Sequence, residues 1–265
     1  MAVLEDRRAI AGASAHTDVG ARMNEAYDAA QRRDYAAALA IWGPLAHAGV
    51  ARAQNNVGAC FAEGLGVERD HSLAFRWLTL AAEGGDPVGL RNLAALYFKG
   101  EGSAQDQARA GDLYRRAAEA GDGPAQDMMS WMLLEENGVG FDAVDARRWA
   151  LAAAAQGIAA PMTRLGMIYH NALGVDRDPA AAAEWWTKAA ARGDADGQAM
   201  LGAAYLLGAG VQRDGVTALT WLLRAQRGGS AVATRFLNSA RAALSAGDIA
   251  EADRRAATPL PEPSQ

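Results

Sequence analysis

Aspartate recurs every 36 residues along this chain, at Asp34, Asp70, Asp106, Asp142, Asp178 and Asp214, with no insertion or deletion. Alanine keeps the same period at Ala38, Ala74, Ala110, Ala146, Ala182 and Ala218, and glycine keeps it at Gly49, Gly85, Gly121, Gly157, Gly193 and Gly229. Tryptophan occupies Trp77, Trp149, Trp185 and Trp221, with Ile41 and Leu113 in the remaining slots. Three residue types sharing one register over six units mark a solenoid, in which each unit packs only on its neighbours. A chain of 265 residues is thereby freed from building a single core.

Each unit reads as two helices. Between Asp194 and Gly229, helix A is expected from about Asp196 to Leu207, with Leu201, Gly202 and Tyr205 on its packing face. Gly208-Ala209-Gly210-Val211 breaks it. Asp214 then stands where an N-cap belongs, its carboxylate accepting N–H groups of the next turn. Helix B runs to about Arg227, with Ala218, Trp221, Leu222 and Ala225 at helical spacing, and Gly228-Gly229 stops it as a left-handed cap. Gly202 and Ala218 fall where the two helices cross, and small residues there let the axes approach. Asp70, Asp106, Asp142, Asp178 and Asp214 are therefore assigned to capping, and Trp77, Trp149, Trp185 and Trp221 to the core.

The run Leu165-Gly166-Met167-Ile168-Tyr169, then Gly174-Val175 and Asp178, then Ala182, Trp185-Trp186 and Lys188-Ala189-Ala190 resembles the Sel-one-like repeat, a tetratricopeptide relative with a longer inter-helix turn. The resemblance implies an all-α, right-handed α-α solenoid. Five repeats fit at about 53–87, 88–123, 124–159, 160–195 and 196–229, with capping helix pairs at 21–50 and 230–257. A flexible segment is expected over 1–20 and a disordered Pro-rich tail over 258–265. The third repeat departs most: Ser130 replaces the helix A glycine of the motif, Leu133 the tyrosine and Glu136 the first turn glycine. The resemblance implies an adaptor or scaffold, the usual role of proteins built from this repeat, many of them in bacterial signalling or host contact. One branch is secreted and rich in cysteine, and this chain lacks its paired cysteines.

Composition narrows the function. Net charge is −5 with signs interspersed, and there is no basic stripe for nucleic acid. No apolar run reaches the length of a membrane span. Cys60 is the single cysteine, so no internal disulfide forms and the thiol reads as a buried structural one. Arg7-Arg8 ahead of Ala9 to Ala15 has the outline of a twin-arginine signal, but the apolar stretch is short and Glu5-Asp6 precede it. The expected location is cytoplasmic, with a periplasmic or secreted protein as the alternative if that segment is cleaved. His16, His47, His71 and His170 lack metal-ligand spacing. One aspartate per repeat is not a calcium loop. The Gly64-Leu65-Gly66-Val67 turn has no strand before it and no Lys-Ser or Lys-Thr pair after it, so it is no phosphate cradle. No cofactor, metal or catalytic residue is expected.

What remains is the surface that varies between repeats. A concave groove lined by A helices is the expected binding face. Its first slot carries Asn55, Arg91, Asp127, Thr163 and Ala199. A second carries Ala59, Ala95, Trp131, Met167 and Ala203, and a third Glu63, Lys99, Glu135, Asn171 and Leu207. Asn55, Arg91, Asn92, Trp131, Arg164 and Asn171 are the candidate contacts, because they offer amides, guanidinium forks and an aromatic anchor to an extended peptide or helix. Trp131 either faces the groove or turns inward to fill space left by Ser130 and Leu133. The expected function is a non-enzymatic adaptor, monomeric or weakly self-associating, that holds another protein and binds neither nucleic acid nor membrane. The alternatives are a hydrolase of a cell-wall-related substrate and an oligomerising structural module.

Overall fold

The computed structural model describes residues 18–260. The expectations for the N-terminal signal and for all but the first residues of the Pro-rich tail lie outside the described residues. Fourteen helices and no strand make up the described residues. They are α1 (18–31), α2 (Tyr35–His47), α3 (Ala51–Glu63), α4 (His71–Glu83), α5 (Pro87–Lys99), α6 (Gln107–Glu119) and α7 (Gly123–Glu135). The chain continues with α8 (Ala143–Ala155), α9 (Ala159–Asn171), α10 (Pro179–Ala191), α11 (Ala195–Leu207), α12 (Gly215–Arg227), α13 (Ala231–Ala242) and α14 (Ala246–Ala257). Odd-numbered helices are the A helices and even-numbered ones the B helices of an all-α solenoid. Helix already covers residues 18–20, which the sequence alone assigns to a flexible lead.

The periodic residues explain the hairpin. Each B helix starts at its aspartate, whose carboxylate accepts a backbone N–H, as from Leu73 to Asp70 (2.9 Å), Arg109 to Asp106 (2.9 Å) and Ala181 to Asp178 (2.9 Å). The same aspartates donate their own N–H back to helix A: Asp70 to the Phe61 carbonyl, Asp106 to Tyr97, Asp142 to Leu133, Asp178 to Tyr169 and Asp214 to Tyr205, all at 2.9–3.1 Å. One residue type thus caps one helix and pins it to the other. The six periodic alanines are fully buried at the crossing. At the end of helix B the left-handed residue is Gly229 (φ +85°), whereas Gly228 is right-handed at −77°. A Cβ on Gly229 would meet nothing, so this glycine is required by its backbone angle and not by space.

A helices begin earlier than the apolar pattern indicates. Helix α11 starts at Ala195, capped by Asp194, whose carboxylate accepts from Gly197 N at 2.7 Å. Asp86 caps Gly89 (2.7 Å) and Asp122 caps Ala125 (2.8 Å) in the same way. This second aspartate register has the same period and is broken at Ile158, which makes no side-chain cap. The residue three positions on is Pro161, which has no N–H to offer a capping carboxylate.

The chain divides into two compact units between Ala125 and Gln126. In the first, α2 packs on α3, α3 on α4, α4 on α5 and α5 on α6, with α3 also against α5. Its core includes Ala26, Ala38, Trp42, Leu45 and Val57. In the second, α8 to α12 pack in sequence, α9 lies against α11, α11 against α13, and α12 against both α13 and α14. Trp186 packs there with Ala182, Leu201 and Ala204, and Leu219 and Leu222 pack with Leu237 and Ala252.

The tryptophan column differs from its expected place in the core. Trp149 is buried, but Trp77, Trp185 and Trp221 are only half-buried. Each closes over a core edge, and two of them carry a cation on the ring. Lys188 Nζ lies 4.2 Å from the Trp185 ring centre, and the Arg224 guanidinium 5.0 Å from that of Trp221. The fully packed position is the next residue along: Leu78, Ala150, Trp186 and Leu222.

Candidate functional site

The A helices of the second unit, with the turn that follows α9, line one groove of about 620 Å³. Trp131 and Leu134 of α7, Met167 of α9, Met200 of α11, and Val232 and Phe236 of α13 form its apolar wall. Glu135, Arg164, Asp196 and Arg235 supply its polar groups. Trp131 is neither buried nor fully exposed, and Met167 is 42% exposed. Leu133 and Ser130, beside Trp131 in sequence, are themselves buried at 3% and 0%. They fill the interior of their repeat, and the indole lines the groove.

The first groove slot is turned along the stack of repeats. Arg91 Nη1 donates to both Asp122 oxygens at 3.0 and 2.8 Å. Thr163 Oγ1 donates to Asp194 at 2.6 Å, and Arg164 Nη1 to Asp127 at 2.5 Å. Asn92 Nδ2 donates to Asn55 Oδ1 at 2.8 Å, with Asn55 only 3% exposed. Arg52 likewise pairs with Asp86 at 2.5 Å. The physical reason is position: Arg91 and Thr163 lie against the first turn of the following A helix, where a capping carboxylate waits, and Asn92 and Arg164, one residue further on, reach back to Asn55 and Asp127 of the preceding A helix. Arg91, Asn55 and Asn92 therefore tie repeats together within the first unit. Asn171 is exposed and is not part of the groove lining.

Of the candidate contacts, Trp131 and Arg164 share the groove, with Arg164 also held by Asp127. The contribution of α13 is not marked by the apolar pattern, because that helix has lost the aspartate, tryptophan and glycine signs. One more step of the 36-residue period from Ala199 lands on Arg235, which does line the groove. Asp194 and Asp196 are bonded by Thr163 and Ser230 respectively. Glu135 and Arg235 form no ion pair among the described residues and line the groove.

Outside the groove, Cys60 is 3% exposed, and burial pushes its thiol up to about 11. No group of three or more His, Cys, Asp or Glu side chains among the described residues could hold a metal ion. No helix among them is long and apolar enough to cross a membrane.

The repeated hairpin matches the family model described as Sel1 repeat over residues 51–86, 87–122, 123–158, 162–194 and 195–230. The chain belongs to the Sel1 repeat family. Sel1 repeat proteins are in general protein-interaction scaffolds. Among solved structures, a Sel1 repeat protein from Oxalobacter formigenes is 27% identical, with a TM-score of 0.75, covering 82% of this chain and 89% of its own. A protective antigen present in uropathogenic Escherichia coli strains, described as displaying an SLR fold, is 28% identical with a TM-score of 0.77. That alignment covers 94% of this chain and 56% of the antigen. No curated protein matches.

Proposed function

We propose that the second-unit groove of this Sel1 repeat protein binds an extended peptide or short helix of a partner protein in a bacterial regulatory assembly, without catalysis. The observation that carries the reading is the second slot, where Trp131 and Met167 line an open groove while Ala59, Ala95 and Ala203 hold the same slot elsewhere. Residues that build the repeat are committed to packing and capping, so a specific ligand is read by residues that break the pattern. A large apolar side chain of the partner inserts between Trp131, Met167 and Phe236, and its polar groups meet Glu135 and Arg235. Arg164, fixed by Asp127, offers a pre-oriented guanidinium beside them. Arg91, Asn92 and Asn55 support the array, and Asn171 stands outside the contact.

The test is a peptide selected from a displayed library against the full chain, then titrated calorimetrically. Trp131→Ala, with helicity unchanged, is expected to weaken binding at least about thirtyfold, equivalent to about 2 kcal/mol. Thr187→Glu on α10 is expected to leave it unchanged. Normal binding by Trp131→Ala together with loss in Thr187→Glu would place the site elsewhere.

A further inference from the structure

We propose that the exposed face of α8 is a second docking surface, built to take a short amphipathic helix of another protein. The proposal is independent of the groove. Val144, Arg148 and Leu151 of α8 follow one another at spacings of four and three residues, so they form one stripe, and Phe141 stands exposed just ahead of the Asp142 cap. Phe141 is 53% exposed, Val144 58% and Leu151 39%.

The repeat itself shows that this stripe is out of the ordinary. At the Leu151 slot the other inner repeats carry Thr79, Arg115 and Thr187. At the Val144 slot they carry Ser72, Ala108 and Ala180. Only α12 repeats the apolar choice, with Val216 and Leu223. There the chain covers its own stripe. Helix α14 packs on α12, Leu223 is reduced to 5% exposure, and Ile249, Ala252 and Ala256 lie in the same cluster. These three sit at i, i+3 and i+7 of α14, a narrow aliphatic-and-alanine ridge. The same two slots, when apolar, are thus closed by a helix of that chemistry. On α8 they stand open.

The charges around the stripe favour a foreign helix over a second copy. A two-fold axis through the middle of the stripe would set Arg148, whose carboxylate partner is already Asp145 of its own helix, against Arg148 of the copy, where it gains no new partner. Arg148 is also fixed in place, paired with Asp145 at 2.6 Å and stacked over the Trp149 ring at 4.2 Å. Arg147 borders the same face, so the partner helix should carry a carboxylate opposite it. One helix laid along another buries less than the roughly 1,000 Å² of a stable interface, so the contact is weak and reversible.

A synthetic peptide of residues 244–258, stapled across positions 250 and 254 on its solvent side and carrying a fluorophore, serves as the probe. Its anisotropy is followed against the full chain. The wild type is expected to bind it with a dissociation constant of roughly tens to hundreds of micromolar. Leu151→Glu should bind at least about tenfold more weakly, and Thr187→Glu, the same slot on α10, as the wild type does. If Leu151→Glu does not fold, Val144→Glu, at a more exposed position, replaces it. Absence of wild-type binding up to about millimolar peptide would overturn the proposal. So would equal affinity in Leu151→Glu, which would mean that the peptide has exchanged with α14. A wild-type dimer in sedimentation velocity that Leu151→Glu abolishes would make the occupant a second copy and overturn it as well.

Discussion

Gly166 lies directly under the indole of Trp186: a β-carbon on residue 166 would come within 2.2 Å of Trp186 Nε1. That nitrogen donates to the Thr163 carbonyl at 3.2 Å, and the ring is 2% exposed. Glycine and tryptophan here are one packing unit. Trp186→Ala is expected to cost about 3–5 kcal/mol, as a large buried aromatic does. Gly166→Ala should cost about 1–3 kcal/mol through overpacking. Trp185→Ala, at the half-buried lid beside Lys188, should cost less than either. Chemical denaturation of the three variants checks the order, and equal losses at Trp185 and Trp186 would contradict the packing described.

Cys60 should be silent in the folded protein. The thiolate is the reactive species, and burial holds this thiol near 11, so at about pH 8 almost none is ionised. An aromatic disulfide reagent is expected to react within minutes in denaturant and hardly at all in native buffer. Native reaction at the rate of a free thiol would show that α3 opens readily.

Acid stability should depend on Asp214. Bonds from Thr217 Oγ1 (2.6 Å) and Thr217 N (3.0 Å) hold its carboxyl below the ordinary carboxylate value. The unfolded chain therefore takes up this proton at a higher pH than the folded chain does. The contribution is complete above about pH 4 and is lost as pH falls through the lower folded value. Thermal melts from about pH 6 to about pH 2.5 should decline less steeply in Asp214→Asn, which keeps a capping oxygen but cannot titrate.

Ser130 is fully buried, and its Oγ has no hydrogen-bond partner among the described residues. Ser130→Ala should be neutral or stabilising by up to about 1 kcal/mol. A clear loss of stability in urea would point to a bond made by that hydroxyl in solution.

The hairpin is legible in the sequence because capping chemistry demands one residue type at one distance from a glycine turn. Asp70 to Asp214 satisfy it without a gap. The A-helix register of Asp86, Asp122 and Asp194 obeys the same chemistry, but Val50 and Ile158 interrupt it, so identity alone does not display it. The tryptophan slot repeats because a flat ring suits a core edge, half-covered at Trp77, Trp185 and Trp221 and buried at Trp149. The better-buried slot beside it alternates Leu78, Ala150, Trp186 and Leu222 to match what each faces, and repetition does not mark it. The candidate contacts are harder still. Whether Arg91 faces a groove or Asp122 depends on a neighbour 31 residues away, and no local pattern encodes that.

Asp122 and Asp194 each hold two things at once, the start of their own helix and a side chain of the repeat before. Such a residue couples the opening of one hairpin to the opening of the next. Ile158 couples neither, and with Pro161 beside it the first turn of α9 has lost both the cap and a donor. Hydrogen exchange should read this as a seam. The first-turn amides of α9, with no capping carboxylate over them, are expected to exchange well ahead of the Gly89 and Gly197 amides, which Asp86 and Asp194 hold, so that the array opens in blocks divided at the entry to α9.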